Sequence, residues 1–259
     1  VAERKANFDD YKAILDVENK YTTYDVERYM ETMEALIAAD LKDAYNSIGA
    51  VTLEDEVAIN ALIDMAEAYA ENYADYGADT VLVADINALY GDLMDEKVKA
   101  VNNAIGVIDA SADPLDVNAI QAAREAYDAL GEYAVDVSPT RYHKLMSLEN
   151  LADEYIINSV ESLKVVKNHS TAGKGWLKIM WSTKGDDSYV QGYEIYKSTK
   201  KNSGYKYAFT TKNPENKWYK NTAGLKKGTM YYYKVRAFVE VDGQKYYSDW
   251  SNKAYRKAK

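Results

Sequence analysis

Few of the 259 residues could carry acid–base or nucleophilic chemistry near neutral pH. There is no cysteine, so no thiolate nucleophile, thiolate metal site or disulfide framework is available. The two histidines, His143 and His169, are isolated, the first on a helical stretch and the second in a loop after a strand. Lone histidines of this kind are more often surface residues than ligands. No His-x-x-x-His pair, nucleophile elbow, phosphate-binding glycine loop or dinucleotide fingerprint occurs. Carboxylates are plentiful, but dense Asp and Glu on helices form solvated faces, and paired-acid catalysis needs a cleft. Asp186-Asp187 reads as a turn between strands, with an adventitious calcium site as the alternative. The expectation is a protein that is not an enzyme, with no catalytic residue, cofactor or metal site and with its ligand-binding residues unknown.

Recognition chemistry is better supplied. The chain has 25 tyrosines against three phenylalanines, thirteen before residue 159 and twelve after. Tyrosine gives rigid, amphipathic contact area at low entropic cost, hence its enrichment in binding surfaces. The bland alternative is a buried ring with one wet edge, as at Tyr69 or Tyr155. Tyr232, Tyr246 and Tyr247 are harder to bury together, because neighbours on a strand point to opposite faces. Tyr76, at a helix end, is similar. Trp176 and Trp218 could form a flat ring platform for a sugar. Lys and Tyr interleave over the last hundred residues, but strand alternation explains that spacing and no nucleic-acid motif accompanies it.

Charge divides the chain that must position these residues. Residues 1–158 hold 11 Lys+Arg and 33 Asp+Glu, whereas residues 159–259 hold 21 and 8. Such asymmetry marks a domain boundary near residue 159. A basic module facing acidic glycans or teichoic acid is the sharp reading; two solvated surfaces of opposite sign is the plain one. No apolar run approaches the roughly 20 residues of a membrane span, so no membrane insertion is expected. The chain reads as an excised, monomeric fragment of something longer.

The first 158 residues carry a three-and-four spacing, which predicts helices. The first runs from about 2 to 20. Thr22 or Thr23 can cap the next, whose stripe is Val26, Met30, Met33, Ile37, Leu41, Ala44 and Ile48, with Gly49 at its end. Thr52 can cap a helix with Ala58, Leu62, Met65, Tyr69 and Tyr73 on one face, ended by Gly77. Asp79 can cap the longest helix, to about 109. Its stripe steps from Leu82, Ile86, Leu89 and Leu93 to Met94, Val98, Val101, Ile105 and Ile108, a turn of about 100°. One helix shared by two successive bundles would do this, giving a rod. Asp113-Pro114 and Ser138-Pro139 each place a capping side chain before a proline at the first helical position. The first opens a helix with Val117, Ile120, Tyr127 and Leu130 inward, up to Gly131; the second, one with Tyr142, Leu145, Leu148, Ala152 and Tyr155.

From Val160 the period is two, that of β-strands. Strands are expected near 163–167, 176–182, 192–198, 205–211, 218–222 and 231–238. Val241-Asp242-Gly243-Gln244 is a hairpin signal before a last strand at 246–251. Leu225, Gly228 and Tyr231 form a Leu-x-x-Gly-x-x-Tyr lead, the pattern of a tyrosine corner, whose hydroxyl bonds back to upstream backbone.

With Trp181 at a core position and a Ser-Asp-Trp-Ser ending, residues 159–259 resemble a fibronectin type III domain, which implies a seven-stranded sandwich. The family's Arg-Gly-Asp motif is absent, so integrin binding by that route has no support. Residues 53–69 and 115–130 look like two copies of one unit about 60 residues apart. Ala123, Arg124, Ala126, Tyr127, Asp128 and Leu130 are similar to the signature of FIVAR-type three-helix repeats of Gram-positive gut bacteria. The first copy departs from it, with Ile63 or Asp64 near the arginine's place.

The expected class is therefore multidomain, all-α plus all-β. Leading helices fill 1–50, an elongated two-repeat bundle sharing a long helix fills 51–158, and a fibronectin type III domain fills 159–259. The resemblance, which extends to immunoglobulin-binding, superantigen-like proteins of gut clostridia, implies a non-catalytic module of a secreted or cell-wall-associated surface protein. Its implied partner is a host protein or glycoprotein, immunoglobulin being the most specific, with no nucleic acid. Alternatives are a rigid stalk and a carbohydrate-binding segment of a secreted glycosidase.

Overall fold

The computed structural model describes residues 23–259. The helix expected over 2–20 and a cap at Thr22 lie outside them. Five α-helices occur among the described residues: α1 (Thr23–Ile48), α2 (Glu56–Tyr73), α3 (Thr80–Val107), α4 (Val117–Asp128) and α5 (Pro139–Ser162). Eight strand segments follow: β1 (Lys164–Gly173), β2 (Trp176–Lys184), β3 (Gly192–Ser198), β4 (Lys206–Thr211), β5 (Trp218–Asn221), β6 (Met230–Val241), β7 (Gln244–Tyr247) and β8 (Ala254–Lys257). The chain forms two compact units. Of the described residues, one comprises 23–108 with 121–144, the other 109–120 with 145–259.

In the first unit, α1, α2 and the front half of α3 close around one core. Met30, Met33, Ile37 and Leu41 meet Leu82, Ile86, Leu89 and Leu93 there. From α2 come Ile59, Leu62, Ala66, Tyr69 and Tyr73, so Ile59 stands in for the expected Ala58, while Met65 packs part-buried against the same core beside Ala66. Ala58 is exposed and Met65 half-buried, because the helix is rotated to centre Ile59 on the core. The rear face of α3 is buried too, through Met94, Val98, Val101 and Ile105, outside that core. This is the expected change of face.

Polar side chains fix the helix ends. The Asp79 carboxylate accepts the Val81 and Leu82 N–H groups at 3.1 and 3.0 Å, capping α3 as expected. Lys144 donates to the carbonyls of Gly106 and Ile108 at 2.9 and 2.7 Å, satisfying acceptors at the other end. Thr52 stands at the N-cap of a 3₁₀ turn (Leu53–Asp55) that leads into α2, and its N–H and hydroxyl both donate to Asp55. Asp113 does not cap α4. That helix starts at Val117, and Asp116 accepts the Ala119 N–H at 2.9 Å. Residues 114–116 are instead taken by a turn, with Val117 N–H on the Leu115 carbonyl and Leu115 buried. At Ser138-Pro139 the helix starts as expected.

In the second unit, two antiparallel sheets pack face to face. One has the order β1-β2-β5; the other has β4-β3-β6, with β7 and β8 both paired to β6. Their inner faces share a core of Leu177, Ile179 and Trp181 against Tyr193, Ile195, Tyr233, Val235 and Val239. Val160 and Leu163, from the end of α5 and the residue after it, complete it, so helix persists four residues past the expected change of rhythm. At Gly192 on β3 an added Cβ would lie 2.0 Å from the Thr211 carbonyl oxygen, so only glycine lets β4 approach there. The Tyr231 hydroxyl donates to the Gly224 carbonyl at 3.2 Å and accepts the Lys226 N–H at 2.9 Å. That is the expected corner.

Two strands differ from expectation. β1 runs to Gly173, so His169 lies in the strand, where a bulge shifts the register between Lys167 and His169. The last strand is split, giving eight segments instead of seven. Ser248 and Ser251 cause the split. Each uses its own N–H and its hydroxyl to satisfy β6: Ser248 bonds the Ala237 carbonyl and N–H, and Ser251 the Val235 carbonyl and N–H. Side chains thus stand in for the ladder, and Asp249-Trp250 loops outward between them.

All four tryptophans lie in the second unit, so their fluorescence in urea reports its unfolding alone. Tyr231→Phe is expected to lower its stability by about 1 kcal/mol, because a bonded hydroxyl is lost. Tyr193→Phe is expected to cost nothing, because that buried hydroxyl has no hydrogen-bond partner. High pH is a second test. Burial first, and a hydrogen bond to Glu34 second, push the Tyr69 phenol up to about 12. Burial does the same for Tyr233, also to about 12. Between the unfolded value near 10 and 12, only the unfolded chain sheds these protons. Stability is therefore full below pH 10 and falls as the pH climbs to 12, and urea midpoints across that range should show it.

Candidate functional site

Strand alternation sends Tyr232, Lys234, Arg236 and Phe238 of β6 away from the core that takes Tyr231, Tyr233, Val235 and Ala237. On this outer face β3 contributes Glu194 and Tyr196, and β7 contributes Tyr247. The Asp249-Trp250 loop lays the Trp250 ring over β6. The Lys234 ammonium sits 3.7 Å from its centroid, the Arg236 guanidinium 4.5 Å, and the Tyr196 ring 5.0 Å, edge on. Arg236 is also stacked on Tyr247, 3.4 Å from that centroid, and Lys234 reaches the Tyr205 ring at 5.1 Å. Each cation over a ring contributes roughly 0.5–2 kcal/mol, more as water is excluded.

Glu194 anchors the lattice from below. Its carboxylate is almost wholly buried and accepts Arg236 Nη2 at 2.7 Å and Nε at 3.2 Å. The Tyr247 hydroxyl donates to it at 3.2 Å, and Lys245 stands 3.6 Å away. Burial, with Glu194 as its neighbour, pushes the Tyr247 phenol up. Burial, then the charges of Arg236 and Lys253, pulls Lys234 below the usual lysine value. The surface is thus charged, part-buried and held in place by ring and carboxylate contacts. Tyr207, edge on to Tyr196, and Tyr255, beside Tyr232, extend it outward at 59% and 54% exposure.

The residues singled out in the sequence separate. Tyr232 and Tyr247 are on this face, whereas Tyr246 pairs with Val239 and packs on the core. Tyr76 packs against the helical core. Tyr69 is fully buried: it donates to Glu34 and accepts the Asp79 N–H at 2.7 Å, tying three helices together. Tyr155 is half-buried, edge on to Tyr189. His143 and His169 are exposed, in different units. Asp187 is held below the usual carboxylate range by Lys217 and then Thr183, and Asp186 accepts the N–H and hydroxyl of Ser188. Asp186 thus serves its own turn, and Asp187 ties that turn to Lys217 ahead of β5. Among the described residues, no three His, Cys, Asp or Glu side chains come together to hold a metal. Trp176 and Trp218 lie on the outer face of the three-stranded sheet.

In the helical unit Arg124 lies over the Tyr127 ring at 5.1 Å and 3.5 Å from Asp128, and Tyr127 stacks on Tyr142. An apolar recess of about 300 Å³ is lined by Leu53, Ala100, Val101, Ala104, Ala126, Ala129 and Leu130, with Lys97 at its rim. Lys97 is paired with Glu56 at 2.5 Å. Acids do not converge there.

No family model matches the chain, and no curated protein matches it significantly. Among solved structures, the fibronectin type-III domain of human fibronectin type III domain containing protein 3 is similar. It is 20% identical and covers 37% of this chain and 84% of its own, with a TM-score of 0.29.

Removing Arg236 would leave the buried Glu194 charge with only Tyr247 and Lys245. Arg236→Ala is therefore expected to destabilise the second unit by roughly 2–3 kcal/mol, and adding Glu194→Gln should recover part of that. Urea unfolding of the single and double variants checks it.

Proposed function

We propose that the chain is a non-catalytic recognition segment of a secreted or cell-wall-associated bacterial surface protein. In this reading residues 159–259 are a fibronectin type III domain, and the outer face of its β6 sheet engages a host protein or glycoprotein. Immunoglobulin is the most specific candidate, and it rests on the resemblance of the sequence alone. The observation that carries the reading is the Trp250 lattice: two cations and the Tyr196 ring are already held against one indole, and the same cations also lie over Tyr247 and Tyr205. A surface whose side chains are ordered beforehand loses less entropy on binding. Aromatic rings and arginine are also the residue types that dominate protein interfaces. Both features favour recognition over catalysis.

The full chain, immobilised and exposed to host serum and mucus, is expected to retain immunoglobulin or another glycoprotein. Tyr207→Ala, which removes an exposed ring without touching the core, should weaken retention about tenfold, and Trp250→Ala at least as much. If nothing is retained, or if neither variant matters, the face is not the contact and a stalk becomes the better reading.

A further inference from the structure

The outer face of the three-stranded sheet has a composition that its own fold does not need. On β2 it presents Trp176, Lys178 and Met180, and on β5 Trp218 and Lys220. The register sets Met180 opposite Trp218 and Lys178 opposite Lys220. Two like charges directly opposite each other destabilise a sheet pair. They are held by rings along crossed diagonals: Lys178 lies 4.6 Å over Trp218, and Lys220 4.8 Å over Trp176. Neither lysine has an ion-pair partner among the described residues. The Trp176 indole lies flat on the backbone of Gly173, where an added Cβ would come within 2.3 Å of the ring. Trp218 and Met180 remain 44% and 37% exposed. Strands β1, β2 and β5 together contain five lysines and no Asp or Glu.

We infer that this face binds an acidic polysaccharide whose negative charge is carried on the sugar ring itself, as a carboxylate or a ring sulfate. An anion seated between Lys178 and Lys220 would relieve their repulsion, which is the charge complementarity an acid-free sheet offers. The apolar bed of Trp218 and Met180 takes the C–H face of a pyranose. With an ammonium 4.6 Å from the indole centroid, the ligand must carry its charge beside its flat face. A uronic acid or sulfated pyranose does so. A nucleotide holds its phosphate a whole sugar away from its base, and Trp176, closed between Gly173 and Lys220, leaves no slot for a base to stack. This face lies on the opposite side of the sandwich from the Trp250 lattice, so its ligand is a second one.

The test titrates the full chain with oligogalacturonate, dextran sulfate, neutral dextran and oligothymidylate, reading tryptophan fluorescence and calorimetry. At least one of the two acidic glycans is expected to bind, the difference between them showing which acid is read, and neutral dextran is not. Trp218→Ala, Lys178→Gln and Lys220→Gln should each weaken binding about tenfold, the size of one lost charge-assisted contact. Their urea midpoints should stay near that of the parent chain, because all three side chains are surface residues. The proposal is overturned if neither acidic glycan binds, if oligothymidylate binds as tightly as either, or if Trp218→Ala leaves affinity unchanged. Tyr207→Ala, on the other face, should not alter glycan affinity, which separates this result from the serum experiment.

Discussion

Strand β6 is held from both sides. Its inward residues Tyr231, Tyr233, Val235, Ala237 and Val239 join the core, while its outward Lys234 and Arg236 are clamped by Trp250, Tyr196 and Glu194. The clamp depends on backbone chemistry at one place. Because Ser248 and Ser251 satisfy the β6 amides and carbonyls themselves, the strand partner can loop out and bring Trp250 over the sheet without stranding a polar group. Lose that substitution and the indole has no way onto the face. The indole contacts of Lys234 and Arg236, and with them the proposed contact surface, follow from it.

The two sheets solve the same electrostatic problem differently. On the β6 sheet the cations share their rings with one buried acid, Glu194, which pairs with Arg236 and Lys245. The strands of the three-stranded sheet contain no Asp or Glu, and on its outer face indoles lie over Lys178 and Lys220. One face therefore holds a buried acid among its cations and is rich in contact area. The other holds no acid in its strands, and the two are assigned different ligand chemistries on that difference. The helical unit, by contrast, spends its buried polar groups on its own joints: Tyr69 bridges Glu34 and Asp79, and Lys144 caps α3.

Much of this was legible in the chain. Periodicity located the helices and strands, because 3.6- and two-residue repeats of apolar residues report which face is buried. The tyrosine corner was legible because it is local, spanning seven residues. The α2 face was misjudged by one residue, since Ala58, Ile59, Met65 and Ala66 all fit an apolar stripe and only the neighbouring helices choose among them. The α4 start was misjudged because Asp113-Pro114 and Asp116 are both acceptable caps, and burial of Leu115 selects the second. The Trp250 lattice was not legible. It needs residues from β3, β6, β7 and a loop, and the signal that could have pointed to it, serines flanking Asp249-Trp250, reads in isolation as ordinary strand ending.

The central claim is that the outer face of β6 is ordered before any partner arrives. ¹⁵N relaxation of the four indole N–H groups in the free chain tests it most directly. The account predicts an order parameter for the Trp250 indole near that of rigid backbone, about 0.85, and close to that of the core Trp181. A Trp250 value below about 0.6, with Trp181 rigid, would contradict it.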